Sequence, residues 1–366
     1  MSFLQLIDVD KKYTAKGPMV VKKASLEIDE GEFVVFLGPS GCGKTTIIRM
    51  IAGLEELTGG DIRMNGQSII DKLPKDREVS MIFQSYAVWP HMTVYDNIAY
   101  PLKLRKIKKE EIDSIVREVA ENCELTPYLK RYPSQMSGGQ RQRVAVARAI
   151  AVKPKLFLMD EPLSNLDAKL RVSMRTELKK IHNEIGATSI FVTHDQSEAM
   201  SLADKIVIIN NGIIEQIGTP NDVYHKSETV FVASFIGSPA TNFFNGRIVE
   251  KEGIIYADAG LMKIQLGKQN AAMLENYRDK SVVMGIRPEN FKVYRRASKN
   301  TLFKTEIAFS EPQGSFIVLI LNVGGQQIKV VTNDFMDLKA KDEIFIGVDD
   351  KDISFFNEET QRRIKA

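Results

Sequence analysis

The stretch Gly38-Pro39-Ser40-Gly41-Cys42-Gly43-Lys44-Thr45-Thr46 carries the pattern G-x-x-x-x-G-K-[ST]. Its glycines let backbone N–H groups turn inward around phosphate oxygens. Lys44 is placed to reach β- and γ-phosphates, and the Thr45 hydroxyl to ligate Mg²⁺. Cys42 reads as a small filler within the loop, whose oxidation would block the nucleotide. Two carboxylates, Asp160 and Glu161, close the apolar run Leu156-Phe157-Leu158-Met159. Beside a phosphate loop, Asp160 suits Mg²⁺ held through water, and Glu161 suits a general base for an attacking water. Gln84 follows Val79-Ser80-Met81-Ile82-Phe83, and His194 follows Ser189-Ile190-Phe191-Val192-Thr193. Each therefore ends an apolar run, as Asp160 and Glu161 do.

These side chains need a sheet to position them. Phe33 to Leu37 reads as a buried strand feeding the glycine loop. The next stretch reads as a helix with Ile47, Ile51 and Leu54 on one face. Strand, glycine loop and helix put the loop at a helix N-terminus, whose dipole favours anions. The runs ending at Gln84, Asp160 and His194 read as further strands, and ligands of open α/β sheets sit at strand C-terminal ends. Met136-Ser137-Gly138-Gly139-Gln140 opens another helix, with Val144, Ala147 and Ala151 as its apolar face. Its start reads either as a second anion-friendly helix end or as a plain serine cap. Tyr13 lies on a loop between two early strands, placed either to stack on a base or to pack. Residues 85–105, with Tyr86, Trp89, Pro90, Tyr95, Tyr100 and Pro101, read as a segment reaching the surface rather than the core. Lys106 to Arg131 has helical periodicity with an apolar stripe at Ile112, Ile115, Val116 and Val119.

The 366 residues suffice for two domains. A net charge of +3 is too mild to argue for nucleic acid as a partner. Cys42 and Cys123, the two cysteines, offer neither a disulfide framework nor zinc spacing, which suits a reducing compartment. The first residues do not read as a signal peptide, and no apolar run is long enough to span a bilayer. Work at a membrane would then need a partner to hold the chain there.

In this order and spacing, the motifs resemble the signature set of ABC-transporter nucleotide-binding subunits. Residues 38–46 resemble Walker A, Gln84 the Q-loop glutamine, and Met136 to Gln140 the LSGGQ signature with Met for Leu. Leu156 to Glu161 resembles Walker B plus the catalytic glutamate, and Ser164-Asn165-Leu166-Asp167 the D-loop. His194 resembles the switch histidine, and Tyr13 the adenine-stacking aromatic. The resemblance implies an α/β P-loop NTPase over residues 1–236: an ABC ATPase with a RecA-like core and a helical subdomain at about 88–153. It implies ATP and Mg²⁺, with Thr45, Gln84 and Asp160 at the metal. Glu161, His194 and Lys44 would serve catalysis. Tyr13, Gly38, Pro39, Ser40, Gly41, Cys42, Gly43, Lys44, Thr45, Thr46 and Gln84 would bind ATP. Ser137, Gly138, Gly139 and Gln140 would bind the ATP held by a second subunit, in a homodimer or with a close homologue.

Beyond Phe231 to Phe243 the chain changes to short strands with frequent turns, which argues for a small barrel. The linker and Gly285-Ile286-Arg287-Pro288-Glu289 resemble the C-terminal all-β OB-type regulatory domain of importer ATPases, here residues 237–366. The nearest likeness is to maltose and glycerol-phosphate uptake ATPases, with polyamine and ferric-ion importer ATPases sharing much of the pattern. Expected partners are an integral membrane permease and, indirectly, a solute-binding protein, with no nucleic acid. The expected place is peripheral, at the cytoplasmic face of the membrane. Lys292, Arg295, Arg296 and Lys299 form a basic run that reads as a solvated face.

Overall fold

The computed structural model describes residues 2–260, 262–299 and 301–365, which divide into compact units at Asn221/Asp222. That division falls earlier than the 236/237 boundary read from the linker. Residues 222–236 go with the C-terminal unit.

The N-terminal unit holds two sheets. Its strands are β1 (Leu4–Lys12), β2 (Met19–Ile28), β3 (Phe33–Leu37), β4 (Gly59–Met64), β5 (Gln67–Ser68), β6 (Val79–Ile82), β7 (Leu156–Asp160), β8 (Thr188–Thr193), β9 (Lys205–Asn210) and β10 (Ile213–Gly218). Its helices are α1 (Lys44–Ala52), α2 (Val94–Leu104), α3 (Lys109–Asn122), α4 (Gly138–Ile150), α5 (Ala168–Ile185) and α6 (Gln196–Leu202), and α7 (Pro220–His225) crosses the division. One sheet has the order β2-β1-β4-β5 and is antiparallel. The other runs β10-β9-β3-β8-β7-β6, parallel throughout except for β10 on the edge. Every residue of β3, β7 and β8 is buried. Strands of a parallel sheet covered on both faces must be apolar on both sides, so FVVFL and LFLM are continuous rather than alternating.

The register of this sheet sets the site. Leu37 pairs with Thr193, Asp160 with Val192, and Ile82 with Met159. The C-terminal ends of β3, β8, β7 and β6 therefore lie in one row. β3 is flanked by β8, reached through a long excursion, and by β9, so the loop after β3 opens where the chain order breaks.

Two expectations need correcting. Helix α1 stops at Ala52, where Gly53 at φ 76° caps it and donates to the Arg49 and Met50 carbonyls. Leu54 thus lies beyond the helix and is 47% exposed, not on its buried face. The segment 85–105 is not a surface excursion: Tyr86 is buried, and α2 buries Val94, Ile98, Ala99 and Leu102. Thr93 caps α2 by accepting from the Asp96 N–H at 3.1 Å.

The C-terminal unit contains α8 (Val230–Phe235), α9 (Lys268–Met273) and strands β11 (Asn242–Lys251), β12 (Ile254–Asp258), β13 (Lys263–Gln265), β14 (Ser281–Ile286), β15 (Phe291–Tyr294), β16 (Phe303–Pro312), β17 (Ile317–Val323), β18 (Gln326–Thr332), β19 (Glu343–Val348) and β20 (Ile353–Asn357). Two five-stranded sheets, β13-β12-β11-β14-β20 and β15-β19-β16-β17-β18, are antiparallel throughout. Their inner faces share one core that includes Met284, Leu319 and Phe355. The basic run is partly neutralised: Lys292 pairs with Asp349 at 2.7 Å and Arg295 with Asp337 at 2.5 Å.

Candidate functional site: the phosphate loop and the strand ends around it

Gly43, the residue before α1, sits at φ 107°, where L side chains are strained, and a Cβ there would lie 2.9 Å from the Val20 carbonyl oxygen. The glycine lets the loop pass close to β2 and enter α1. Inside the loop, the buried Lys44 ammonium donates to the carbonyls of Gly38 and Pro39, both at 2.8 Å. It folds over its own loop and so fixes the loop's curvature. Cys42 is buried, with its Sγ 3.8 Å from Lys44 Nζ. Burial pushes its thiol pKa up, although Lys44 opposes this. The thiol is therefore less reactive than its loop position implied. Ser40 and Gly41 are exposed at the tip.

Thr45 Oγ1 donates to Asp160 Oδ1 at 2.7 Å, joining the loop to the end of β7. Burial raises the Asp160 pKa above its ordinary 3.8, offset by the Thr45 hydrogen bond and by Arg49 and Lys44. A buried carboxylate held beside a hydroxyl, with cations near but, among the described residues, no ion pair, is the donor set of a hard divalent cation. The residues therefore fit Mg²⁺.

Glu161 departs from the strand. Its φ of +45° is left-handed, a conformation that costs a non-glycine residue on the order of 1 kcal/mol or more. Bonds at both ends hold it there. Its N–H donates to the Val192 carbonyl at 3.1 Å, and its carbonyl accepts from the Ser164 hydroxyl at 2.9 Å. The turn aims the carboxylate between two other candidates: Gln84 Nε2 donates to Glu161 Oε2 at 3.3 Å, and His194 Nδ1 lies 3.4 Å from the same oxygen. His194 is placed by the join of β8 and α6. The Thr193 hydroxyl accepts from the Asp195 N–H at 2.9 Å, and Asp195 caps α6 by accepting from Ser197 N–H at 2.8 Å. Tyr13, 54% exposed, reaches the loop through its hydroxyl, 3.2 Å from Thr46 Oγ1, with the Lys11 ammonium 5.0 Å from the centre of its ring.

Ser137 to Gln140 form a capping box at the start of α4. The Ser137 N–H donates to Gln140 Oε1 at 2.9 Å, and the Gln140 N–H to Ser137 Oγ at 3.3 Å. A Cβ on Gly139 would lie 2.6 Å from Leu170 Cδ2, so glycine admits α5 here. Among the described residues no hydrogen bond joins Ser137, Gly138, Gly139 or Gln140 to residues 38–46.

Reading the motifs alone missed two supports of Gln84. Asn165 Nδ2 donates to the Gln84 carbonyl at 2.9 Å. Arg148, on α4, donates to the carbonyls of Ala87 (2.6 Å) and Tyr86 (3.0 Å), and its guanidinium lies 4.5 Å from the centre of the Trp89 ring. Tyr86 and Ala87 have φ of +63° and +45°. An arginine within an otherwise small apolar helix face, Val144 to Ile150, is the signal that was available.

Comparison with known proteins identifies the family. A family model described as ABC transporter matches residues 21–164, and one described as MalK OB fold domain matches residues 237–291. The chain is 46% identical to the oligosaccharides import ATP-binding protein MsmX of Bacillus subtilis, over 100% of both chains. It is also 46% identical to the trehalose/maltose import ATP-binding protein MalK of Thermococcus litoralis, again over 100% of both. A solved dimer of the ATP-binding cassette MJ0796, in a post-hydrolysis state bound to ADP and Pi, covers 59% of the chain at 32% identity and TM-score 0.54. The phosphate loop with its ring of strand-end side chains, the OB-type second unit and full-length identity to import ATP-binding proteins together place this chain in the family of ABC transporter ATP-binding subunits, as an ATPase.

Proposed function

We propose that the chain is the energy-coupling ATPase of an ABC importer, driving uptake of a sugar or a glycerol-phosphate-type solute through a partner permease. One observation carries the chemistry. Glu161 is held between Gln84 and His194 at 3.3 and 3.4 Å, next to the Thr45–Asp160 pair and the Lys44 loop. In this reading, Gly38 to Thr46 wraps the β- and γ-phosphates, and the exposed Tyr13 ring stacks on the adenine. Lys44 lies against the phosphate oxygens where charge develops, worth a few kcal/mol in a site shielded from water. Glu161 accepts a proton from the attacking water, and His194 orients that carboxylate and the γ-phosphate. Thr45, Asp160 and Gln84 would hold Mg²⁺, which would neutralise the negative charge of the phosphates.

The capping box at Ser137 to Gln140 has no partner at its own chain's loop. It supports a second subunit whose ATP it contacts, with the N-terminal dipole of α4 aimed at phosphate. The γ-phosphate then holds two chains closed and hydrolysis releases them, a two-state equilibrium set by nucleotide. No helix among the described residues is long and apolar enough to cross a membrane. Attachment at the cytoplasmic face would come through the permease, with a solute-binding protein as an indirect partner. The sugar assignment rests on the import activities for which the relatives are named.

Two measurements test this reading. Glu161→Gln should bind ATP, accumulate as a closed dimer in sedimentation, and lose nearly all turnover; rapid steady-state hydrolysis sinks the general-base role. A strain lacking the chain should lose growth on one or more sugars or glycerol phosphate. Loss confined to polyamine uptake or iron limitation would overturn the cargo assignment and leave the ATPase role standing.

A further inference from the structure

The C-terminal unit has a cavity of about 190 Å³ beside the end of α7, β14 and β20. Its wall carries three cations, Arg287, Lys351 and Arg363, against one carboxylate, Asp352, with His225 and Thr241 alongside. The described hydrogen bonds of both arginines go to neutral oxygens. Arg287 donates to the carbonyls of Ile236 (2.8 Å) and Tyr224, and its guanidinium carbon lies over the Tyr224 ring, 3.8 Å from the ring centre. Arg363 donates to the His225 carbonyl at 3.1 Å, leaving most of its N–H donors unused. The nearby carboxylates have other partners as well: Glu289 accepts from the Tyr224 hydroxyl at 2.6 Å and Glu228 pairs with Lys365 at 2.8 Å, while the charge of Glu289 acts on Arg287 and that of Glu228 on Arg363. Thr241 Oγ1 is buried with no hydrogen-bond partner among the described residues. Burial, followed by the charge of Arg287, holds the Arg363 guanidinium below its ordinary pKa, although the Glu228 carboxylate opposes this.

Charge concentrated in this way calls for an anion. The cavity is smaller than the ~300–1,000 Å³ typical of organic ligand pockets. Arginine donors, a lysine and a free hydroxyl, set around a small space, suit a compact oxyanion such as phosphate. We infer that this cavity is a binding site for phosphate or for the phosphoryl group of a small phosphate ester.

The test uses the full chain with Mg²⁺ and a non-hydrolysable ATP analogue at saturation, so that the phosphate loop is already filled. Inorganic phosphate is titrated calorimetrically at constant ionic strength, with chloride as the control. One phosphate should bind per chain. Arg363→Gln should weaken it about tenfold or more, as loss of a charge-assisted contact requires. Thr241→Val should weaken it by less. Arg287 also ties Ile236 and Tyr224, so Arg363→Gln and Lys351→Gln decide the outcome if Arg287 variants fail to fold. A methyl or glyceryl phosphate competing with phosphate supports an esterified ligand, and its exclusion supports the free anion. Absence of saturable phosphate binding, or equal affinity in wild type, Arg363→Gln and Lys351→Gln, overturns the site.

Discussion

Arg148→Ala is the sharpest test of how the helical part of the N-terminal unit reaches the hydrolytic centre. The guanidinium donates at 2.6 and 3.0 Å to the carbonyls of Ala87 and Tyr86, and it covers Trp89 at 4.5 Å. Hydrogen bonds from a charged donor contribute ~1.5–3 kcal/mol each, and a partly desolvated cation–π contact ~1 kcal/mol. Against these stands the cost of burying a cation, the same burial that lowers the Arg148 pKa. The net loss on truncation is about 2–4 kcal/mol. The consequence should not stop at stability. Tyr86 and Ala87 are left-handed, and Gln84, two residues upstream, donates to Glu161. Freed of Arg148, the two carbonyls relax and Gln84 loses its aim, and misplacement of ~1 Å at a reacting centre costs up to about a hundredfold. Trp89 is the only tryptophan in the chain, so its fluorescence reports unfolding of this region in urea. The expected result is a lower urea midpoint together with kcat reduced about ten- to a hundredfold at saturating ATP. Arg148→Lys should restore part of the stability but less of the turnover, because one ammonium cannot serve both carbonyls with the same fork. An unchanged midpoint refutes the energetic reasoning. A lowered midpoint with full kcat at a temperature where the variant is folded refutes the link to Gln84.

Three further outcomes follow from the same geometry. Asp160→Asn keeps an acceptor for Thr45 but removes a carboxylate whose pKa burial raises. A raised pKa contributes stability below 3.8 and loses it as pH rises through the folded-state value. At neutral pH the variant should therefore melt higher than wild type without nucleotide, the gap narrowing toward acid, while Mg²⁺-dependent hydrolysis disappears; a lower melting point at pH 7 contradicts the burial argument. Lys44→Ala removes the two 2.8 Å bonds that curve the loop, and equilibrium dialysis should show ATP affinity falling by about tenfold or more; unchanged affinity rules out the phosphate-cradle role. Ser137→Arg should leave ATP binding by a single chain intact but block nucleotide-driven dimerisation. Mixing it with Lys44→Ala should rescue up to a fraction of turnover, since only one composite site per mixed dimer is whole; no rescue argues against sites shared between subunits.

Local chemistry alone spelled out the phosphate loop and the strands behind it. A parallel strand buried on both faces must be apolar at every position, so FVVFL and LFLM announced themselves, and the residues that follow them were candidates by position. The segment 85–105 was opaque for the opposite reason. Its prolines and aromatics resemble a surface loop, and only its packing buries Tyr86 and the apolar stripe of α2. Leu54 failed similarly, because a helical period does not know that Gly53 ends the helix at a left-handed cap. In the C-terminal unit, β15 and β20 find their ladder partners, β19 and β14, far along the chain, and β16 divides its ladder between its neighbour β17 and the distant β19. The basic run there is tempered by Asp349 and Asp337, some forty residues or more away along the chain.

Residue type and order by themselves determined the chemistry: a phosphate-binding turn, an acid pair, an amide and an imidazole, each at the end of an apolar run. They determined it because backbone conformation at glycine, proton affinity and oxygen ligation are properties of the residues. Tertiary structure alone decided that the strands ending at Leu37, Thr193, Asp160 and Ile82 lie side by side with their ends in one row, so that Glu161 meets Gln84 and His194 on one oxygen. It also decided that Arg148 grips the turn after Gln84, and that Arg287 and Arg363 share one cavity. These are distances between groups far apart in the chain, fixed by packing, and no local pattern encodes them.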